Sequence, residues 1–319
     1  MQRAMKNAVY ISLGSPHLEY PQVADALLRQ GINARMIHLD DASHYDWSDV
    51  DLVNVRMCRG YHREANFLQR IEQLSQQLQL LPRPIPMANN IELIRDALDK
   101  NIYLRRLATE DHIDIIPTLW IPRHTSVCLD EIMERQHWHD VVIKPTVSSG
   151  SWQTIRVSRT GQSMTDSHFI AAHKQRNTPP YHSLITTLLQ THDICIQPFL
   201  PSILERGEFS FVFLGGQFSH AVRKTVGNHN GWWAHERLGG INYVWEPDQA
   251  ERDWAEHIYY TLERRYGRLW FGRIDGIYDE HHQLRLLECE LAIPRLLLQD
   301  GNWFDRYAQS MKIGLLQLS

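Results

Sequence analysis

Three acidic side chains in two apolar segments near the C-terminus constrain the fold of this chain most strongly. Glu288 and Glu290 lie within residues 286–291, and Asp275 lies within residues 273–276. Residues two apart on a β-strand point to the same face, so the two glutamates would carry like charges side by side. Removing such a pair from water is costly unless a cation neutralises it, and Mg²⁺ prefers oxygen ligands. A solvated strand face would explain the glutamates alone, but Asp275 on the preceding predicted strand favours a metal site.

A lysine followed by small side chains forms a second candidate site. Lys144 ends a predicted strand at 141–144 and precedes a short loop of small residues. The residues of this loop are Ser148, Ser149, Gly150 and Ser151. A lysine beside a loop whose amides can approach a ligand is suited to holding a phosphate, although a surface lysine before an ordinary turn is the alternative. The loop matches neither the Walker pattern nor G-x-G-x-x-G, so nicotinamide binding is disfavoured.

The composition is typical of a soluble globular protein of enzyme size. The 319 residues include 33 Lys+Arg and 37 Asp+Glu, which gives a net charge of −4. This balance argues against a nucleic-acid partner. No apolar stretch long enough to span a membrane and no signal peptide is evident, so we expect a cytoplasmic protein without a membrane partner. The four cysteines form no C-x-x-C pair, which disfavours zinc ribbons and disulfide scaffolds.

Strands and helices alternate in the N-terminal region. Hydrophobic patterning predicts strands at 8–13 and 51–55 and helices at 23–30 and 65–80. This alternation is typical of a small, mostly parallel sheet. Three prolines within residues 81–86 cannot continue a helix and therefore mark a boundary.

The remaining chain is predicted to mix helices with hairpin-connected strands. Asn90 is expected to cap one helix that continues through Leu107. Residues 163–190 are predicted to be partly helical, with a break at residues 179–180. Further strands are predicted at 141–144, 154–157, 194–197, 209–214, 218–225, 270–278 and 284–290, and a helix at 249–266. The prediction is an α/β (α+β) protein with an N-terminal domain at 1–88 and two α+β subdomains at 89–196 and 197–319.

The order of these motifs resembles that of the ATP-grasp superfamily, in its glutathione-synthetase-like branch. The motifs in order are Lys100, residues 117–118, 142–145 with the following loop, 197–201, 207–208, 219–224, 239–240, Asp275, and 288–290 followed by Pro294. The most similar group is the O-ureido-serine cyclo-ligases of cycloserine biosynthesis. The resemblance covers residues 89–294, and residues 1–88 fit the pre-ATP-grasp domain by pattern. It implies the ATP-grasp fold, with two subdomains that grip ATP.

The resemblance also implies a role for each nucleotide-binding position. Lys100 and Lys144 would contact the phosphates of ATP, and the loop at 148–151 would close over them. Glu208, or Glu205 in its place, would hold the ribose hydroxyls. The segment whose backbone would read the adenine edge consists of Gln197, Pro198, Phe199 and Leu200.

Metal, catalytic and substrate positions follow from the same resemblance. Its three acidic residues, Asp275, Glu288 and Glu290, are similar to the Mg²⁺ ligands that bridge the terminal phosphates, and Mn²⁺ could substitute. Arg223 resembles the arginine that stabilises charge on the transferred phosphoryl group, with Arg273 as a second candidate. Arg295 is expected to point into the acceptor pocket and to favour an anionic substrate.

The implied function is an ATP- and Mg²⁺-dependent carboxylate–amine ligase that acts on a small amino-acid-like substrate. A carboxylate resists attack by an amine, so conversion to an acyl phosphate, with release of ADP and phosphate, would activate it. Joining of two molecules and ring closure within one both remain open. The alternatives are a kinase of the same fold that releases a phosphorylated product and a non-catalytic nucleotide-binding regulatory protein. The resemblance also suggests a homodimer.

Overall fold

A small parallel sheet forms the N-terminal part of the computed structural model, which describes residues 5–14, 18–159, 163–165, 181–227 and 231–318. Its strands are β1 (Lys6–Ser12), β2 (Ile32–His38) and β3 (Leu52–Met57), in the order β2-β1-β3. Both pairs are parallel, which confirms the predicted sheet. Strand β2 was not predicted, because it is an edge strand in which only Ile32 is fully buried and its apolar pattern is therefore weak.

The second sheet is antiparallel and carries the predicted phosphate loop. Its order is β4-β8-β5-β6-β7, where the strands are β4 (Leu119–Ile121), β5 (Asp140–Pro145), β6 (Ile155–Ser158), β7 (Ser163–Thr165) and β8 (Ile194–Pro198). The helices Leu129–Arg135 and Tyr181–Leu189 bury their apolar residues with those of the sheet. The loop between β5 and β6 contains residues 148–151.

The third sheet is also antiparallel and carries the acidic residues. Its order is β11-β10-β9-β12-β13, where the strands are β9 (Glu208–Leu214), β10 (Gln217–Thr225), β11 (Ile241–Trp245), β12 (Phe271–Tyr278) and β13 (Leu284–Glu290). Gly215 and Gly216 join β9 to β10 with φ of 60° and 88°, as a two-residue hairpin requires. One face packs against the helix Gln249–Tyr266, and Ile274 is buried on that face. Its neighbour Asp275 therefore lies on the opposite face.

The prediction of one helix from Asn90 through Leu107 is wrong. Two helices, Ile91–Ala97 and Lys100–Thr109, occupy this segment. The Asp99 side chain accepts a hydrogen bond from the backbone N–H of Asn101 at 2.9 Å, so it caps the second helix. An aspartate that bonds its own neighbouring backbone competes with helix continuation, which explains the break.

The C-terminal helix Gly301–Gln317 joins the two ends of the chain. It packs on the helix Tyr20–Arg29, and the hydroxyls of Tyr307 and Tyr10 lie 2.7 Å apart. Further helices are Phe67–Gln79 and Ser202–Glu205, with 3-10 helices at Leu39–His44, Tyr61–Arg63 and Glu236–Leu238. None of the helices in the described part of the chain is long and apolar enough to cross a membrane.

The predicted limits of the domains stay predictions. Strand β8 continues across the limit at 196/197 and belongs to the second sheet. Of the predicted partly helical segment at 163–190, the described residues form β7 and the helix Tyr181–Leu189. The predicted break at 179–180 lies outside the described residues.

Candidate active site

The three acidic side chains converge on one face of the third sheet. Antiparallel pairing of β12 with β13 places Asp275 opposite Glu288 and Arg273 opposite Glu290. Asp275, Glu288 and Glu290 each offer one carboxylate oxygen, and these oxygens lie within 4.8 Å of one another. Cys289, between the two glutamates, is buried in the apolar core on the opposite face. The alternation of side chains along β13 therefore brings the glutamates together, as the sequence predicts.

Asp275 is completely buried and is neutralised by cations beside it. The Arg273 guanidinium donates to both of its oxygens, with Nε–Oδ1 at 2.8 Å and Nη2–Oδ2 at 2.7 Å. The Ser210 hydroxyl donates to Oδ1 at 2.6 Å, and Lys224 Nζ lies 3.5 Å from Oδ2. Burial would raise the pKa of Asp275, but Arg273 and Lys224 hold it well below its usual range.

Two lysines reach the same cluster from outside the third sheet. Lys100 is the first residue of its helix, and its Nζ lies 3.5 Å from Glu288 Oε2. Lys144 lies on β5 of the second sheet. Burial would raise the pKa of Glu288, but Lys100 and then Lys144 keep it below its ordinary value. The structure therefore places Lys100 against the acidic cluster and Lys144 close enough to act on Glu288 electrostatically.

The donor set fits a hard divalent cation. Glu288 and Glu290 keep 24 % and 23 % of their side-chain surface exposed, whereas Asp275 has none. Carboxylate oxygens are the ligands that Mg²⁺ prefers, and it commonly combines one or two of them with substrate phosphates. The two glutamates would thus hold the ion from the open side, with Asp275 beneath them.

The predicted phosphate loop has a strained and well-anchored backbone. Ser148 is buried, its hydroxyl donates to the Pro145 carbonyl at 2.8 Å, and its own carbonyl accepts from Lys100 Nζ at 2.9 Å. Gly150 and Ser151 both adopt left-handed φ, at 62° and 60°. Such a conformation is unfavourable for a non-glycine residue such as Ser151.

The predicted adenine segment lies at the end of β8. The Gln197 side chain donates to the Thr118 hydroxyl at 2.9 Å. The Phe199 ring is buried, with the Arg156 guanidinium 3.6 Å from its centroid. Pro198 and Leu200 on either side are half-buried.

The two alternative ribose-binding glutamates have different surroundings. Glu208 on β9 lies 2.6 Å from Lys224 Nζ, and burial raises the pKa of its carboxyl. Glu205 is exposed and lies at the end of a short helix. Glu208 thus lies beside the acidic cluster, and the ribose-binding role of either glutamate stays a prediction.

Arg223 does not join the cluster. Its side chain donates to the carbonyls of Glu205 and Arg206. Neighbouring residues of a strand point to opposite faces, so Lys224 occupies the position at the cluster that was predicted for Arg223. Lys224 was not among the predicted site residues, although its place opposite Glu208 follows from the β9–β10 hairpin.

Arg273 and Arg295 do lie at the cluster, but both are already paired. Arg273 Nη1 lies 2.8 Å from Glu290 Oε2 and donates to the Arg295 carbonyl at 2.5 Å. The Arg295 side chain forms an ion pair with Glu236. Its contact with an anionic substrate remains a prediction.

Comparisons with known proteins agree with this arrangement. Residues 8–82 match the family described as the N-terminal domain of D-cycloserine synthetase DcsG. The chain is 25 % identical over 303 residues to the cycloserine biosynthesis protein DcsG of Streptomyces lavendulae. This alignment covers 92 % of each chain.

Two solved structures show the fold. The crystal structure of D-cycloserine synthetase DcsG matches with a TM-score of 0.76 and 24 % identity, over 97 % of this chain and 99 % of that one. D-alanine–D-alanine ligase of Bacillus anthracis, solved in complex with ATP, matches with a TM-score of 0.64 and 12 % identity, over 99 % and 98 %. The chain therefore has the ATP-grasp fold and cycloserine-synthetase-like relatives, which confirms the resemblance predicted from its sequence.

Proposed function

We propose that the protein is an ATP- and Mg²⁺-dependent ligase that joins a carboxylate to an amine through an acyl phosphate. The observation that carries this proposal is the meeting of the three carboxylates with Lys100 and Lys144, which come from outside their sheet. A site that only binds a nucleotide does not need three acidic groups at the phosphate end. The ligases and the synthetase among the relatives support a small amino-acid-like substrate.

The residues of the chain perform positioning and charge neutralisation in this reaction. Lys100 and Lys144 would hold the terminal phosphates of ATP in line with the substrate carboxylate. Glu288, Glu290 and Asp275 would hold Mg²⁺, which supplies further neutralisation of the phosphate oxygens when bound. Arg273 fixes the directions of Asp275 and Glu290, so it acts on the reaction through them.

The proposed reaction has two halves. In the first, a substrate carboxylate oxygen forms a bond to the γ-phosphorus as the bond between that phosphorus and the ADP oxygen breaks. In the second, the amine nitrogen bonds to the acyl carbon, the carbon–oxygen bond to phosphate breaks, and the nitrogen gives up a proton to the departing phosphate or to water. The products are an amide, ADP and inorganic phosphate, and one oxygen of the phosphate comes from the substrate carboxylate.

This oxygen provides the test. We expect a screen of amino acids and dipeptides to find a substrate that releases ADP, and that substrate with an ¹⁸O-labelled carboxylate to give phosphate carrying ¹⁸O. A phosphorylated product without amine dependence would instead support the kinase. Release of AMP and pyrophosphate would contradict the acyl-phosphate route. ATP binding without turnover across the screen would favour the regulatory alternative.

A further inference from the structure

The phosphate loop is held from outside its own sheet by the 3-10 helix Tyr61–Arg63, which follows β3 of the N-terminal sheet. His62 Nδ1 lies 2.9 Å from the Ser149 hydroxyl, so the two groups are hydrogen-bonded. The neighbouring Tyr61 hydroxyl lies 3.5 Å from the Ser148 carbonyl. Consecutive residues of one short element therefore contact consecutive residues of the loop.

The His62 ring is packed in place. It lies 4.9 Å from the ring of Trp152, the residue that follows the loop. Burial lowers the pKa of His62 to about 4, so its imidazole is neutral at pH 7. A neutral ring forms a hydrogen bond with the Ser149 hydroxyl without placing a further positive charge near Lys100.

The hydrogen bond joins the Ser149 hydroxyl to the 3-10 helix that follows the N-terminal sheet. The same loop turn is closed by the Trp152 amide, which donates to the Ser149 carbonyl at 3.2 Å. Ser148, one residue earlier, binds Lys100, which faces Glu288. Movement of Ser149 would therefore displace the turn that lies next to the proposed phosphate contacts.

We propose that His62 is a positioning residue that fixes the phosphate loop through Ser149 and so sets the grip on the ATP phosphates. The anchor itself is a property of the structure, whereas its effect on ATP rests on the proposed function. It assigns to the 3-10 helix that follows the N-terminal sheet an indirect role in nucleotide binding, through Ser149.

Amide hydrogen exchange of a peptide that covers residues 148–154, measured without nucleotide, tests the anchor. In His62→Phe the ring still packs on Trp152 but the hydrogen bond is lost. We expect exchange of this peptide to become about three- to tenfold faster, as loss of one hydrogen bond predicts. His62→Asn, whose side-chain amide can reach Ser149, should restore slow exchange. His192→Phe is the matched control, because His192 also packs on Trp152, at 5.3 Å.

The effect on nucleotide binding is a separate measurement. We expect His62→Phe to raise the KM for ATP, or its Kd by calorimetry, about three- to tenfold, with the KM of the carboxylate substrate unchanged. Ser149→Ala should give a similar change, and the double variant no more than either alone. Unchanged exchange in His62→Phe, or fully additive effects of the two substitutions, would overturn the proposal. Faster exchange with unchanged ATP affinity would keep the anchor and overturn its role at the phosphates.

Discussion

Arg273 shows how one side chain can organise a cluster of like charges. Its guanidinium contacts both oxygens of Asp275, Glu290 Oε2 at 2.8 Å and the Arg295 carbonyl. The planar group has five donors in a fixed geometry, so it can fix two carboxylates at once. Glu288 and Glu290 then remain the groups with accessible surface toward a metal ion.

The first prediction concerns these two glutamates. Glu288→Gln and Glu290→Gln each remove a negative ligand, so we expect turnover to fall by about 100-fold, comparable to loss of one electrostatic stabiliser in an active site. The Mg²⁺ concentration at half-maximal rate should also rise. Initial rates at increasing Mg²⁺ measure both effects.

The matched control is Cys289→Ala, because Cys289 lies between the two glutamates on the same strand but faces the core. This variant should keep the Mg²⁺ dependence of the unmodified protein. Gln variants with an unaltered Mg²⁺ dependence would contradict the metal assignment.

At the scale of the element, the break between two helices determines where Lys100 points. Because Asp99 caps the second helix, Lys100 begins it, and its backbone N–H donates to the Thr146 carbonyl at 3.1 Å. The start of the helix thus ties Lys100 to Thr146, the residue that directly follows the strand with Lys144.

The second prediction follows from this cap. Asp99→Ala should lower the free energy of unfolding by about 1 kcal/mol, the usual cost of losing an N-cap. It should also raise the KM for ATP, because Lys100 is no longer fixed at the start of the helix. Urea denaturation and ATP titration measure the two effects.

Asp99→Asn serves as the control for the cap, because asparagine caps helices about as well as aspartate. This variant should stay close to the unmodified protein in both measurements. An alanine variant with normal stability and normal ATP affinity would show that the cap does not position Lys100.

At the scale of the whole molecule, the C-terminal segment connects the third sheet to the N-terminal core. His220 on β10 stacks on Trp303 of the last helix, with 3.9 Å between ring centroids. Its Nε2 lies 3.0 Å from the Leu296 carbonyl. The side chain is 5 % exposed, and burial lowers the pKa of His220 to about 4.

The third prediction is a loss of stability in mild acid. The unfolded chain binds a proton at His220 near pH 6.5, whereas the folded chain does so only near pH 4. The folded state is therefore favoured above pH 6.5, and this contribution, roughly 3 kcal/mol, is lost as the pH falls toward 4. Urea unfolding across this pH range measures the slope.

His220→Gln should reduce this slope, because glutamine does not titrate in this range. His62 and His235 also have a lowered pKa of about 4 and contribute to the remaining slope. An equal slope in His220→Gln and the unmodified protein would rule out His220 as the cause.

Local patterns in the sequence were sufficient for the elements that they encode. The apolar runs predicted most strands, including those at 209–214 and 218–225 on either side of the Gly215–Gly216 turn, because side-chain alternation acts over a few residues. The same alternation predicted that Glu288 and Glu290 share a face. Alternation also implies that Arg223 and Lys224 point to opposite faces of the sheet, so only one of them can reach the acidic cluster. The resemblance assigned the phosphate-stabilising role to Arg223, whereas Lys224 is the residue at the cluster.

The sequence by itself determined the alternation of side chains along the strands, the positions of turns, and the resemblance of the motif order to that of the ATP-grasp superfamily. Only the tertiary structure decided that Lys224 and Arg273 neutralise Asp275, that Glu236 pairs with Arg295, and that His62 holds the phosphate loop. Apart from the Arg273–Asp275 pair, which lies two residues apart on one strand, these contacts join residues that are far apart in the chain. Their formation depends on strand pairing and on the packing of separate elements, long-range properties that no local periodicity encodes.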